Sequence, residues 1–223
     1  MGNFDWIPPA IKHLRDFRSK PAELLQFLTD LERLAVGLLV TRMDVTKRAE
    51  RYGRLLTEMG NGGNLYARAS ALQLTDDERK LIVTTLDGDL YDIKFVTRYV
   101  LLRLDGLLAD GEAKYDFDTI SIEHVLPQSP ASGSDWLKLF PDPVEREGLV
   151  HRLGNLLLLS HKKNSAAQNF DFDMKKAKYF VSKGKASPFA LTTQVLNEKT
   201  WSAAVIGKRQ TDLLGRLKQL WRL

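Results

Sequence analysis

The sequence contains no cysteine among its 223 residues. This absence excludes a disulfide scaffold, a thiolate zinc site, an iron–sulfur cluster and a cysteine nucleophile. Long apolar runs are also missing, since the longest one in the N-terminal half, Leu34–Val40, is far shorter than the roughly 20 residues that cross a bilayer. The first residues carry too many charges for a secretory signal. We therefore expect a soluble, cytoplasmic protein without a membrane partner.

Charge is distributed unevenly along the chain, although the formal net charge is only +5. Residues 1–150 carry 19 basic and 24 acidic residues, whereas residues 151–223 carry 14 basic and 4 acidic residues. A basic segment of this density attracts a polyanion, because each lysine or arginine near a phosphate releases a condensed counterion. The same lysines could instead solvate one helix face. Charge alone leaves nucleic-acid binding and a solvated surface about equally favoured.

The first hundred residues have the periodicity of helices. Leu24, Leu28, Leu31, Ala35 and Leu38 recur at intervals of three and four residues, which predicts an amphipathic helix. The pattern changes after residue 111. We therefore predict a mainly α fold with two regions, a helical scaffold over residues 1–115 and a second region over residues 116–223.

Two predicted strands interrupt the helical pattern in the second region. Ile120 and Ile122 alternate with polar residues, which predicts a strand that ends near Val125, before Pro127. A second strand is predicted over residues 152–160, and a helix is predicted to begin near residues 161–164. Between the strands, residues 128–143 are rich in serine, proline, glycine and aspartate, which predicts a loop.

Three polar residue types cluster on this strand–loop–strand–helix segment: the acid Glu123, the imidazole of His124, and the amides of Asn155 and Asn164. Hydrolysis of a phosphodiester needs a base that deprotonates water near neutral pH, which neutral imidazole can do. It also needs a divalent cation beside the phosphate, and Mg²⁺ prefers oxygen ligands. The residue types predict that His124 is the general base and that Glu123 and Asn164 are the metal ligands.

The motifs Ile122–Gln128 and His151–Leu156, followed by Asn164, Phe172, Lys175-Lys176 and Tyr179, resemble the C-terminal HNH nuclease domain of GmrSD-type modification-dependent (type IV) restriction enzymes. The resemblance is strongest over residues 116–223. It implies a ββα-metal (HNH) finger embedded in the helical scaffold. It also implies that Asn155 belongs to the catalytic group as the residue that positions the imidazole and pins the two strands.

By this resemblance the protein is an endonuclease or nickase that cleaves DNA with Mg²⁺, for which Mn²⁺ would substitute, in bacterial defence against phage. The resembling enzymes also carry a nucleotide-hydrolysing, modification-sensing domain. No Gly-x-x-x-x-Gly-Lys loop occurs in this sequence, so we expect such a domain or subunit as a partner. Asn164 stands where many relatives have histidine, which favours Mg²⁺ over softer metals.

Further residues are expected to assist the site. His151 and His161 are candidate accessory residues. The alternative is an ordinary surface role for His151 and a hydrogen bond to the backbone for His161. The expected phosphate contacts, as a set, are Arg152, Lys162, Lys163, Lys175 and Lys176. Two other functions remain open at this stage: a non-catalytic nucleic-acid-binding or regulatory module, and a nuclease that acts on RNA.

Overall fold

The computed structural model describes residues 3–109, 115, 120–160, 169–181 and 187–223. Within these residues the fold is mainly helical, as predicted, with one sheet of two strands. The helices of the N-terminal part are α1 (Ile7–Phe17), α2 (Pro21–Val40), α3 (Val45–Gly60), α4 (Asp76–Leu86) and α5 (Lys94–Leu108). The later elements are β1 (Ile120–His124), α6 (Asp135–Leu139), α7 (Pro143–Val150), β2 (Leu156–Ser160), α8 (Phe172–Lys178), α9 (Ala190–Leu196) and α10 (Ala203–Trp221).

The chain divides into two compact units, residues 1–85 together with Leu223, and residues 86–222. The boundary predicted from the change of sequence pattern, between residues 115 and 116, stays a prediction. In the described part of the chain, no helix has the length and apolar character that a bilayer-spanning segment requires.

In the first unit, α1 packs against α2 and α3. The predicted apolar stripe of α2 is correct at Leu31, Ala35 and Leu38, which are buried, but Leu28 is 45% exposed. Phe27 and Leu34 are fully buried on this helix instead. The buried face is therefore rotated slightly from the predicted one.

In the second unit, β1 and β2 pair antiparallel, with His124 opposite Leu156 and Glu123 opposite Leu157. β1 lies where the sequence predicted it, whereas β2 covers only Leu156–Ser160 of the predicted residues 152–160, because Leu153–Asn155 form a 3₁₀ turn. Aliphatic and aromatic residues from the strands and the following helices form one core: Val125, Leu126, Trp136, Phe140, Leu157, Leu159, Phe172, Phe180, Val195, Trp201 and Ile206. This core holds the end of β1 in place.

The segment predicted as a loop between the strands, residues 128–143, contains α6, and α7 begins at its last residue, Pro143. Asp142 caps α7, because its side chain accepts a hydrogen bond from the backbone N–H of Val144 at 2.9 Å. The helix predicted to begin near residues 161–164 lies outside the described residues. A two-stranded antiparallel sheet is therefore observed, and the ββα finger stays a prediction.

Candidate functional site

The end of β1 positions Glu123 and His124 as neighbours on one strand. Adjacent residues of a strand point to opposite faces of the sheet, so the carboxylate and the imidazole lie in different surroundings. Each residue is only 6% exposed. Their partners are polar side chains, so the two groups lie in a buried polar region.

The Glu123 carboxylate forms a buried ion pair with Lys175 of α8. The distance from Nζ of Lys175 to Oε1 of Glu123 is 2.6 Å, and the lysine has no exposed surface. The same ammonium donates to the carbonyl oxygens of His124 at 2.7 Å and of Val125 at 3.2 Å. Burial raises the pKa of Glu123, and the positive charge of Lys175 opposes that rise.

This placement corrects the expectation that Lys175 contacts a DNA phosphate. A buried ammonium that already has three oxygen partners has no surface to present to a backbone phosphate. Burial lowers the pKa of Lys175, and the Glu123 carboxylate opposes this shift. Sequence reasoning treated Lys175 as a surface cation because the neighbouring Lys176 and Lys178 have the same residue type.

The His124 imidazole contacts a side chain at each of its ring nitrogens. Nε2 lies 3.3 Å from Nδ1 of His151, and Nδ1 lies 3.3 Å from Nε2 of Gln128. Tyr91 meets the ring edge-on, with 4.2 Å between the ring centroids. Burial, then the nearby His151 and Lys175, lower the pKa of His124 to about 3. The imidazole of His124 is therefore neutral near pH 7.

His151, expected only as an accessory residue, is brought directly to His124. Its ring stacks on Tyr91 with an interplanar angle of 7° and 5.3 Å between centroids. The backbone N–H of Tyr91 also donates to the carbonyl oxygen of His151 at 3.1 Å. Tyr91 and Gln128 complete this cluster. Tyr91 lies far from His124 in the sequence and belongs to no motif that would have predicted this contact. Gln128, in contrast, lies four residues after His124 within the motif Ile122–Gln128.

Asn155 fixes the chain just beyond β1. Its Oδ1 accepts hydrogen bonds from the N–H of Leu126 at 2.8 Å and from Nε1 of Trp201 at 3.1 Å. Its Nδ2 donates to the carbonyl oxygens of Leu126 at 3.0 Å and Val150 at 2.8 Å. These bonds use the full capacity of the amide. Asn155 holds the main chain two residues after His124, whereas the ring nitrogens face Gln128 and His151. That Asn155 positions the imidazole stays a prediction.

Helix α10 holds the turn that leads into β2. Nη1 of Arg209 donates to the carbonyl oxygens of Gly154 and Leu156, each at 2.9 Å. Burial lowers the pKa of Arg209 to about 10, so its guanidinium is still charged at neutral pH. The N–H of Gly154 donates to Oε1 of Gln210 at 2.7 Å. Together these bonds fix the strand that pairs with the catalytic candidates.

Two of the expected phosphate-contacting cations lie at least partly at the surface. Arg152 is bonded through Nη2 to the carboxylate and carbonyl oxygens of Asp87, and its side chain is 32% exposed. Lys176 donates to the carbonyl oxygen of Glu198 at 2.7 Å and lies over the ring of Phe172. Contact with DNA stays a prediction for both. Four further candidates fall outside the described residues: His161, Lys162, Lys163 and Asn164.

A divalent cation at this site stays a prediction, because Glu123 is the expected ligand that the described residues contain and its carboxylate is paired with Lys175. A carboxylate offers two oxygens, and Lys175 contacts Oε1 of Glu123. Carboxylate and amide oxygens are ligands that Mg²⁺ accepts. Residues 3–109, 115, 120–160, 169–181 and 187–223 contain no group of three histidine, cysteine, aspartate or glutamate residues that could hold a metal ion. The proposed second ligand, Asn164, lies outside these described residues.

Comparison with known proteins gives one clear match. The family of GmrSD restriction endonucleases, C-terminal domain, matches residues 75–216, which is more than half of the chain. The match includes the whole of β1, β2 and α8. No curated protein matches the chain.

Proposed function

The chain belongs to the family of GmrSD restriction endonuclease C-terminal domains, and from this membership we propose that it is a Mg²⁺-dependent DNA endonuclease or nickase. It acts as the effector of a modification-dependent restriction system that defends bacteria against phage. Recognition of modified DNA and nucleotide hydrolysis belong to a partner domain or subunit. The proposed nuclease centre is the end of β1, with His124 and Glu123, together with Asn164.

The observation that carries this proposal is the placement of His124 at the end of β1, where its ring nitrogens lie 3.3 Å from Nδ1 of His151 and 3.3 Å from Nε2 of Gln128. The pKa of about 3 keeps the His124 ring unprotonated before substrate binds. The negative charge of a phosphodiester stabilises the imidazolium and raises this pKa toward the range in which a general base works well. The site thus gains basicity when its substrate arrives.

In the proposed reaction, Nδ1 of His124 takes the proton from the attacking water. Gln128, which faces Nδ1, is an exposed side chain and can turn away to admit water. His151, which faces Nε2, is held by its stack on Tyr91. Mg²⁺ (or Mn²⁺ in its place), when held by Glu123 and Asn164, would supply positive charge for the phosphoryl and departing oxygens. Asn155 and Arg209 hold the two strands in register during this step.

The basic C-terminal segment is proposed to hold the DNA backbone. Residues 151–223 carry ten more basic than acidic residues, and Arg152, Lys162, Lys163 and Lys176 are the proposed contacts. Such contacts do not read sequence, so binding should be largely sequence-independent and should weaken steeply as salt increases.

The proposal is tested by incubating the purified chain with supercoiled plasmid and, separately, with RNA, in Mg²⁺ or in excess chelator. We expect nicked or linear plasmid in Mg²⁺, no product in chelator and intact RNA. Cleavage of RNA alone would assign a ribonuclease instead. Binding of the plasmid without cleavage, also when the partner subunit is supplied, would assign a non-catalytic module.

A further inference from the structure

Helix α8 directs a lysine into the protein core, directly beneath the proposed catalytic strand. Phe172 and Lys175, three residues apart, are the buried positions of this helix. Lys175 has no exposed surface, whereas Lys178 is exposed to solvent. An ammonium in the interior is costly unless it is paired and hydrogen-bonded. The partners of Lys175 therefore explain its position.

Three oxygens of the β1 end converge on this ammonium. They are Oε1 of Glu123 at 2.6 Å, the carbonyl oxygen of His124 at 2.7 Å and that of Val125 at 3.2 Å. We infer that Lys175 is a positioning residue of the nuclease centre, which fixes the Glu123 carboxylate and the His124 main chain at one point. The inference rests on the proposed function, because it assigns a role within that centre.

Main-chain fixation matters here because the β1–β2 ladder ends at His124. The carbonyl groups of His124 and Val125 therefore lie where regular strand pairing stops, and Lys175 contacts both of them. The direction of the His124 side chain depends on the main chain that Lys175 holds. A displacement of about 1 Å at a reacting group can slow a reaction by about 100-fold.

The contacts of Lys175 complement those of Asn155 on the next residue. Asn155 binds both the N–H and the carbonyl oxygen of Leu126. Consecutive carbonyl groups of His124, Val125 and Leu126 are therefore each held by a buried side chain from elsewhere in the chain. Unlike Asn155, Lys175 also binds the Glu123 carboxylate. Of the two side chains, Lys175 is therefore the one that links this carboxylate to the main chain of His124.

The test compares Lys175→Met with Lys178→Met, a matched change at an exposed lysine of the same helix. For Lys175→Met we expect kcat for plasmid nicking to fall about 100-fold, with KM and DNA affinity within twofold of the unmodified protein. For Lys178→Met we expect kcat and DNA affinity within twofold of those of the unmodified protein. Weaker DNA binding with unchanged kcat in Lys175→Met would overturn the inference in favour of a phosphate contact.

A spectroscopic readout separates this inference from the proposed function. The chain has four histidines, so imidazole resonances can be assigned, and the 4.2 Å approach of Tyr91 to His124 predicts a nuclear Overhauser effect between the rings. We expect Lys175→Met to weaken this effect and shift the His124 signals, and Lys178→Met to leave both unchanged. An unchanged His124–Tyr91 signal in folded Lys175→Met would overturn the inference, even if the protein cleaves no nucleic acid.

Lys175→Gln provides the test if the methionine variant does not fold. Glutamine keeps a donor for the carbonyl oxygens but lacks the charge that neutralises Glu123. We expect its kcat to fall at least tenfold with unchanged DNA affinity. A kcat equal to that of the unmodified protein would overturn the role assigned to the ammonium.

Discussion

Replacing Gly154 by alanine should destabilise the protein because the turn before β2 packs directly on the backbone of α10. A Cβ at this position would lie 2.4 Å from the carbonyl oxygen of Ile206 and 2.9 Å from the backbone nitrogen of Gln210. Ordinary contact begins at 3.4 Å, so the helix has to retreat by roughly 1 Å. Overpacking costs about 1–3 kcal/mol, and a weakened hydrogen bond from Gly154 to Gln210 adds about 1 kcal/mol. We expect a loss of about 2–4 kcal/mol.

The assay is urea denaturation followed by tryptophan fluorescence, since Trp136 and Trp201 lie in the core of this unit. Gly207→Ala and Gly215→Ala are matched controls on α10, because a Cβ at either position meets nothing within 4 Å. Each control should leave the free energy of unfolding unchanged or raise it by up to about 1 kcal/mol. A Gly154→Ala protein as stable as the controls would refute the close packing of the turn on α10.

Two further changes test other parts of the structure. Asn155→Ala removes four buried hydrogen bonds at once, including those to Leu126 and Trp201. The free energy of unfolding, measured by urea denaturation, should fall by at least about 3 kcal/mol. A loss below about 1 kcal/mol would contradict the stabilising role of these four bonds. His13 lies between the rings of Phe17 and Phe27, and burial lowers its pKa. Below pH 6.5 the unfolded chain therefore binds a proton at His13 that the folded chain does not. As the pH is lowered, the free energy of unfolding should decrease by up to about 1.4 kcal/mol per pH unit. His13→Leu should flatten this dependence between pH 7 and 5.5, and an unchanged slope would contradict it.

The regular elements of the candidate site could be predicted from local sequence. The alternation at Ile120 and Ile122 predicted a strand ending near Val125, and β1 ends at His124. Thr75 and Glu78 likewise form a local capping box at the start of α4, since each side chain accepts a hydrogen bond from the backbone N–H of the other residue. These features depend on neighbours within a few residues.

The surroundings of His124 could not be predicted in the same way, because they come from distant parts of the chain. Tyr91 lies 33 residues before His124 and carries no motif, yet its ring meets the imidazole. Lys175 and Lys176 look equivalent in the sequence. They differ in the structure because the Lys175 side of α8 faces the core, whereas Lys176 is partly exposed. A signal for Lys175 does exist: Phe172, three residues earlier, marks the apolar face of that helix. The short helix α6 was missed because five residues show too little periodicity.

The most direct test of the account is the rate of plasmid nicking by His124→Ala relative to the unmodified protein, at saturating protein and in Mg²⁺. Circular dichroism and DNA affinity serve as controls, and both should be unchanged because the imidazole is proposed to act on water. The account predicts a rate at least about 100-fold lower, the usual contribution of a general base. A rate within threefold of the unmodified protein would contradict the assignment of His124 as the base and, with it, the proposed nuclease centre at the end of β1.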